Sequence, residues 1–158
     1  MLAIYQNSKL KLAFRAMSFL SLLLCLLIIN GQAQIAEHPV IKDYKGVKIG
    51  MTADEVRQKL GEAKSEDKDG FFYVFSDTET AQIMLDGDKK VRVISIDYNG
   101  EHQNPPKFED VFGKNAKPEA KPDGAIYKMV RYPDDGVWVA YSRLAGDKPM
   151  ISITINKQ

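Results

Sequence analysis

Hydrophobic and polar positions recur with two different periods along the chain, and each period predicts a different element. Val56 and Leu60 lie four residues apart and share one face, which predicts a short helix over residues 52–60. Alternating or aromatic and β-branched runs between turn residues predict six strands. These strands span residues 71–75, 81–85, 91–98, 126–131, 137–141 and 150–155. A short helical turn over 108–112 is predicted between the two groups of three strands.

Local sequence specifies both ends of the predicted helix. Thr52 suits the N-cap, and Glu55 three residues later can complete a capping box with it. Met51 and Val56 occupy the positions of a hydrophobic staple. Gly61 suits the left-handed residue that closes a helix. This structural motif consists of Met51, Thr52, Glu55, Val56, Leu60 and Gly61. We interpret it as a folding signal, because capping residues rarely take part in chemistry.

The order of the elements predicts an α+β fold. Turn sequences such as Asp86-Gly87 join the strands within each group, so neighbouring strands should pair antiparallel. The strands then form one continuous sheet or two abutting three-stranded halves, with helix on one face. An Asp-Gly pair ends three residues before Tyr73, and another ends three residues before Tyr127. This echo predicts a degenerate tandem repeat.

The first 33 residues have the composition of an export signal. The basic start consists of Lys9, Lys11 and Arg15. Residues 19–29 are apolar apart from one serine, and small residues precede the expected cleavage after Ala33. The apolar run is shorter than the roughly 18–20 residues of a spanning helix, so an uncleaved membrane anchor is the second choice. We expect a periplasmic or secreted protein that meets the membrane only through its export signal.

The only cysteine, Cys25, lies inside this apolar run and does not follow a small residue at a cleavage point. We therefore predict that the protein is not a lipoprotein. The mature domain, residues 34–158, then has no cysteine for a disulfide, a thiol nucleophile or a metal site. Of the 22 basic residues, three lie in the first 33, which leaves 19 against 21 acidic residues and a net charge of −2. That balance argues against nucleic acid as a partner.

Residues of the types that act in catalysis or bind metals do not form a recognisable motif in the sequence. His38 and His102 have no metal-ligand spacing with each other or with a cysteine. The acidic pairs in the predicted turns are too short for the ligand set of calcium. Glycine-rich phosphate loops and nucleophile elbows are missing from the sequence. We expect no catalytic residue, no metal and no cofactor, and an enzyme is the least favoured class.

Three parts of the sequence together resemble the SmpA/OmlA (BamE-like) domain. They are the run from Gly50 to Gly61, the aromatic run 71–75, and the pair of strands around the glycine turn between residues 83 and 96. The family comprises small envelope lipoproteins that help to assemble outer-membrane proteins. The same architecture, doubled, is similar to that of the β-lactamase inhibitor proteins, which are secreted tandem modules.

The resemblance implies two related halves within one α+β domain. Residues 42–98 form the BamE-like half, and residues 107–158 form a degenerate second half. Export and protein binding are also implied. The chain departs from both families, because it lacks the lipid-bearing cysteine of the first and the disulfides of the second. The resemblance therefore carries over no particular partner.

Aromatic residues occur on both faces of the predicted strands, which suggests a partner surface on the face opposite the helix. The candidate binding residues are Phe71, Tyr73, Phe75, Tyr127 and Trp138. Tyr73 and Tyr127 occupy corresponding places in the echo and should point the same way. Trp138 is either a binding anchor or a core residue, and the second face of the sheet is either free or covered.

The predicted function is an exported, non-enzymatic protein-interaction module of the cell envelope or secreted space. Its partner would be another envelope or secreted protein, bound through the exposed face of the sheet. The alternatives are a carrier with a small-ligand pocket between sheet and helix, and a secreted inhibitor of an extracellular enzyme.

Overall fold

A computed structural model describes residues 35–158, which form an antiparallel sheet with two short helices packed on it. The predicted signal peptide and its cleavage site after Ala33 lie outside the described residues. Within the described range, no helix is both long and apolar enough to cross a membrane.

Two helices and seven strands make up the domain. Helix α1 spans Ala53–Leu60 and helix α2 spans Phe108–Phe112. The strands are β1 (Ser65–Asp67), β2 (Gly70–Ser76), β3 (Glu79–Leu85), β4 (Val91–Tyr98), β5 (Ile126–Tyr132), β6 (Val137–Arg143) and β7 (Ile151–Lys157). A 3₁₀ turn, Pro133–Asp135, joins β5 to β6.

The strands follow the spatial order β1-β2-β3-β4-β7-β6-β5 in a single sheet. Every neighbouring pair is antiparallel, which confirms the predicted strand direction. The expected number of six strands is wrong by one. Ser65–Asp67 was expected to be loop, but it pairs with Gly70 to Phe72 across a tight turn and adds β1 at one edge.

Helix α1 has the ends that its sequence specifies. The Thr52 hydroxyl accepts the N–H of Glu55, and the Thr52 N–H donates to the Glu55 carboxylate over 2.8 Å. The bond from the Thr52 N–H, followed by one that the Thr52 hydroxyl donates to the Glu55 carboxylate over 2.9 Å, lowers the pKa of Glu55. Gly61 has a positive φ of 77° and its N–H donates to the Arg57 carbonyl, so it ends the helix. Val56 is fully buried against the sheet.

Both helices pack on the same face of the sheet. Val56 of α1 and Phe112 of α2 are fully buried in one hydrophobic cluster with the inward residues of the strands. At the centre of this cluster, Ile96 of β4 lies opposite Ile153 of β7. Within residues 35–158, no helix packs on the other face of the sheet, where the site described below lies.

The segment before α1, which we call the lead-in, packs against the domain. Tyr44 and Val47 are buried in the hydrophobic cluster. The Ala36 N–H donates to the Phe112 carbonyl over 3.0 Å. His38 Nδ1 lies 2.7 Å from Asp135 Oδ2 beside the 3₁₀ turn. The lead-in therefore connects α2 with the turn between β5 and β6.

Candidate functional site

The face of the sheet without helices is the candidate site, and we call it the open face. The strand registers arrange its side chains in rows that run from β2 to β5. One row contains Phe72, Gln82, Ser95, Thr154, Ala140 and Met129. The next row contains Val74, Thr80, Asp97, Ser152, Ser142 and Tyr127. A third row contains Met84, Val93, Asn156, Trp138 and Arg131.

Polar side chains occupy the middle of the open face. The Ser152 hydroxyl donates to the Asp97 carboxylate over 2.5 Å, between β7 and β4. The hydroxyls of Ser95 and Thr154 lie 3.4 Å apart on the same two strands. All four residues are half-buried. This band places hydroxyl groups and a carboxylate at the centre of the open face, next to the apolar side chains of Val93 and Ala140.

Apolar side chains occupy the two flanks of the open face. Phe72 and Val74 of β2 are exposed on one side, and Tyr127 and Met129 of β5 are exposed on the other. Tyr127 has the largest exposed fraction of these four, at 61%. Exposed apolar groups around a polar centre form a surface that can lose water on contact while the centre makes hydrogen bonds.

Trp138 lies on the open face and is half-buried. In the register it stands between Arg131 of β5 and Asn156 of β7. It does not belong to the hydrophobic cluster under the helices. Of the two predicted placements for this residue, the core placement is therefore wrong, while a role in binding stays a prediction.

The structure corrects the placement of three predicted binding residues. Phe71 and Tyr73 of β2 are 3% and 2% exposed on the helix-covered face. Phe75 packs against the same cluster and stacks on Tyr73 at 5.6 Å between ring centroids. The Tyr73 hydroxyl donates to the Gly61 carbonyl at the end of α1. These aromatic side chains hold α1 to the sheet and do not reach the open face.

Tyr73 and Tyr127 consequently point in opposite directions, against the expectation from the sequence echo. The open-face aromatic residue of β2 is Phe72, which the sequence analysis did not select. Met129 was also missed, and it lies in the same row as Phe72 at the other flank. Each of the two residues lies between inward-facing residues of its strand. Both can therefore be assigned to the open face once the inward-facing residues are known.

A cluster of titratable side chains surrounds Glu79, on the side of the sheet away from the open face. The Tyr44 hydroxyl donates to Glu79 over 2.7 Å, and the Lys45 ammonium lies 3.3 Å from the same carboxylate. His102 Nε2 is 4.0 Å from its other oxygen, with the ring against Tyr98. Burial, followed by the proximity of Glu79, raises the pKa of Tyr98 to about 12. Burial and the bond to Glu79 raise the pKa of Tyr44 strongly.

This cluster joins three segments of the chain through one carboxylate. Both tyrosines are held neutral at physiological pH, and the Glu79 carboxylate is already occupied by a hydroxyl and an ammonium group. Both histidines pair with carboxylates away from the serines of the open face. In the part of the chain that the structure describes, no group of three or more His, Cys, Asp or Glu residues is arranged to hold a metal ion.

A groove of about 680 Å³ lies between α2 and the sheet. Its walls are mainly apolar and come from the proline-containing segment before α2, from α2 itself and from β6 and β7. Phe108 and Tyr141 meet edge to face at its base, with ring centroids 5.6 Å apart. Arg143 lines the same groove and donates to the Gly124 carbonyl. The groove matches the volume of many small-molecule sites.

Comparison with protein-family models, curated proteins and solved structures finds no match to this chain.

Proposed function

We propose that this protein is an exported, non-enzymatic module that binds another envelope or secreted protein through the open face. The observation that carries this proposal is the concentration of exposed apolar side chains there. Of the seven large hydrophobic residues that are exposed in the described range, four lie on the open face. They are Phe72, Val74, Tyr127 and Met129. Each flank thus carries two neighbouring exposed apolar groups, and neighbouring apolar groups mark interaction surfaces more often than single ones do.

The form of the surface favours a protein over a small ligand. Two of the rows extend across six strands, so the exposed apolar groups are spread over a broad sheet face, whereas small-molecule sites are concave pockets. Tyr127 is the preferred anchor, because tyrosine is enriched among residues that dominate binding energy and this one is the most exposed. Trp138 contributes a second aromatic surface from the neighbouring strand.

Photo-crosslinking in the cells that make the protein tests this proposal. A photoreactive phenylalanine replaces Tyr127 in the whole chain, and the matched control carries it at Val40. Val40 is 51% exposed, similar to Tyr127, but it lies in the lead-in. We expect a discrete adduct with one other protein from Tyr127 only, and the adduct should weaken when Phe72→Ser and Met129→Ser are added.

Equal labelling from Tyr127 and Val40 would contradict the open-face site. So would an adduct whose yield is unchanged by Phe72→Ser and Met129→Ser. An adduct with the mass of two copies of this chain would indicate self-association instead of a separate partner. The export part of the proposal is checked on the same samples. The crosslinked chain should fractionate with envelope or secreted protein and begin near residue 34, whereas a cytoplasmic chain that begins at Met1 would overturn it.

We also propose that the domain is a degenerate tandem repeat related to the SmpA/OmlA fold. Support comes from the order of its elements: each half has a helix and, after it, a three-stranded meander, β2-β3-β4 or β5-β6-β7, with the short strand β1 added in the first half. The last strands of the two meanders, β4 and β7, are neighbours at the centre of the sheet. Residues 42–98 and 107–158 are the two halves in this proposal.

A small-ligand carrier is the second candidate, and the groove between α2 and the sheet favours it. The apolar part of its walls suits a hydrophobic molecule, and Arg143 can bind a carboxylate on that molecule, while Glu109 and Asp110 line the same groove. A thermal-shift screen of apolar carboxylic acids tests this function. Stabilisation that is lost in Arg143→Gln, while Arg131→Gln leaves it unchanged, would support the carrier; equal stabilisation of both variants would reject this site.

A further inference from the structure

The two outer edges of the sheet are built differently. At one edge, β1 has only three residues, and Glu66 and Asp67 place acidic groups along it. Short charged strands of this kind prevent pairing with other chains. At the other edge, β5 is longer, with seven residues, carries the charged residues Lys128 and Arg131, and pairs with β6 on its inner side. Its outer side meets only an isolated bridge between Ala120 and Ile126, within the described part of the chain.

The outer backbone groups of β5 can be assigned from that bridge. The Lys121 N–H donates to the Ala125 carbonyl over 2.8 Å, on the side away from β6. The backbone groups of successive residues in a strand point to opposite edges, so Met129 and Arg131 also point outward. In the described residues, no backbone or side-chain hydrogen bond outside the strand ladders reaches the amide or carbonyl of Met129 or Arg131.

We propose that β5 pairs antiparallel with β5 of a second copy of this chain, about a twofold axis at Val130. Met129 then lies opposite Arg131 of the second copy, and each exchanges N–H and C=O groups with the other. Val130 lies opposite its own copy as a pair without direct hydrogen bonds. The two sheets become one continuous sheet of twice the width.

Charge and space select this register over the other symmetric ones. A twofold axis perpendicular to the sheet keeps each side chain on its own face. Residues that lie directly opposite each other must then face the same side, so one residue of the strand has to lie opposite its own copy at the axis. An axis at Lys128 or at Arg131 would set like charges directly opposite each other, which is destabilising. An axis at Tyr127 or at Met129 would place the second copy where Ala120 already pairs with the strand.

An axis at Val130 avoids both the pairs of like charges and the overlap with Ala120. The paired segment is residues 128–132, which begins beyond the bridge of Ala120 with Ile126. It ends at Tyr132, where the 3₁₀ turn carries the chain back towards β6 and away from the second copy. Lys128 then faces the buried Tyr132 of the second copy, so no cation faces another.

Such a dimer brings the open faces of two copies side by side. Tyr127 and Met129 lie on the outermost strand of the open face, so those of both copies would flank the new junction. The inference goes beyond the proposed function and does not depend on it, because it uses only the backbone edge and the charges of β5. The dimer can form without a protein partner.

Disulfide trapping in the whole chain tests the register. All variants carry Cys25→Ser, so that the introduced cysteine is the only one. The first variant adds Val130→Cys and the second adds Met129→Cys. In the proposed register, the Cα atoms of the two Val130 positions lie about 4.5 Å apart, within disulfide range. The two Met129 positions are diagonal neighbours at roughly 7–8 Å and lie beyond it.

The comparison separates specific pairing from random collision. Met129 is more exposed than Val130, so random encounters would oxidise Met129→Cys faster. We expect Val130→Cys to form covalent dimers about tenfold faster under mild oxidation, because pairing raises the local thiol concentration. Equal rates, or faster coupling of Met129→Cys, would overturn the proposed register.

A second variant tests the hydrogen bonds themselves. Met129→Pro, added to Val130→Cys, removes an outward N–H that the dimer needs but no hydrogen bond to β6. The covalent dimer should then form as slowly as in Met129→Cys, while the melting temperature stays close to that of the parent. Undiminished coupling in a folded Met129→Pro variant would contradict pairing through β5. If that variant fails to fold, the rates of the two cysteine variants still decide the question.

Discussion

Thr52 and Glu55 show how single residues set an element. Each satisfies a backbone N–H of the other in the capping box of α1. Thr52→Ala should lower the free energy of unfolding by about 1 kcal/mol. The loss should be smaller in a Glu55→Ala background, because the box is already broken there. Chemical denaturation of the four chains in this cycle measures the coupling, and strictly additive losses would mean that the two residues act separately.

Two buried tyrosines, Tyr44 and Tyr132, allow the contribution of a single hydroxyl group to stability to be compared. The Tyr44 hydroxyl donates to Glu79, whereas the Tyr132 hydroxyl is buried without a hydrogen-bond partner among the described residues. Tyr44→Phe should cost about 1 kcal/mol or more, because it removes a bond to a charged group. Tyr132→Phe should leave stability unchanged or raise it by up to about 1 kcal/mol. Thermal unfolding compares the two, and a larger loss for Tyr132→Phe would reveal an unseen partner for its hydroxyl.

At the scale of elements, the sequence predicted where the strands lie better than it predicted which side chains of each strand face the core. Strand β7 alternates isoleucine with polar residues, so its inward side was readable from the sequence. Strand β5 carries apolar residues on both sides, and its half-buried inward set includes Lys128. Period two then gives no preference, and only pairing with β6 decides that Tyr127 faces outward.

The same limit explains the wrong placement of the aromatic residues of β2. Phe71, Phe72, Tyr73 and Phe75 make both faces of this strand apolar, so the buried side depends on where α1 packs. The end of α1 meets Tyr73, a contact that its capping sequence does not encode. Strand β1 was missed because its three polar residues carry turn-forming signals and no apolar period.

The half-buried position of Trp138 predicts a moderate effect on stability. Trp138→Ala should cost about 1 kcal/mol, since the side chain lies outside the hydrophobic cluster. Phe112→Ala, at a fully buried position of α2, should cost about 3–5 kcal/mol. Denaturant unfolding of both variants makes the comparison. A loss for Trp138→Ala as large as that for Phe112→Ala would place this residue among the structural ones and weaken its role as a binding anchor.

At the scale of the whole molecule, the sheet depends on one pairing between distant segments. Strands β4 and β7 lie more than 50 residues apart in sequence and join the two meanders at the centre. Tight turns predicted each meander from the sequence, because their contacts are local. The central pairing was left open between one continuous sheet and two abutting halves, since no local signal specifies which strands meet across the junction.

This junction makes the two halves interdependent for folding. Ile94 and Ile96 of β4 are fully buried, and they lie opposite Ile155 and Ile153 of β7. A chain limited to residues 35–106 would expose those isoleucines and the whole edge of β4, so we expect it to be unfolded or aggregated alone. Residues 107–158 should behave in the same way, because β7 loses its partner. Co-expression of the two fragments should restore a soluble complex with the circular dichroism of the intact domain. Independent folding of either fragment would show that the central pairing is not required, and failure of the mixture to assemble would show that the connecting segment is.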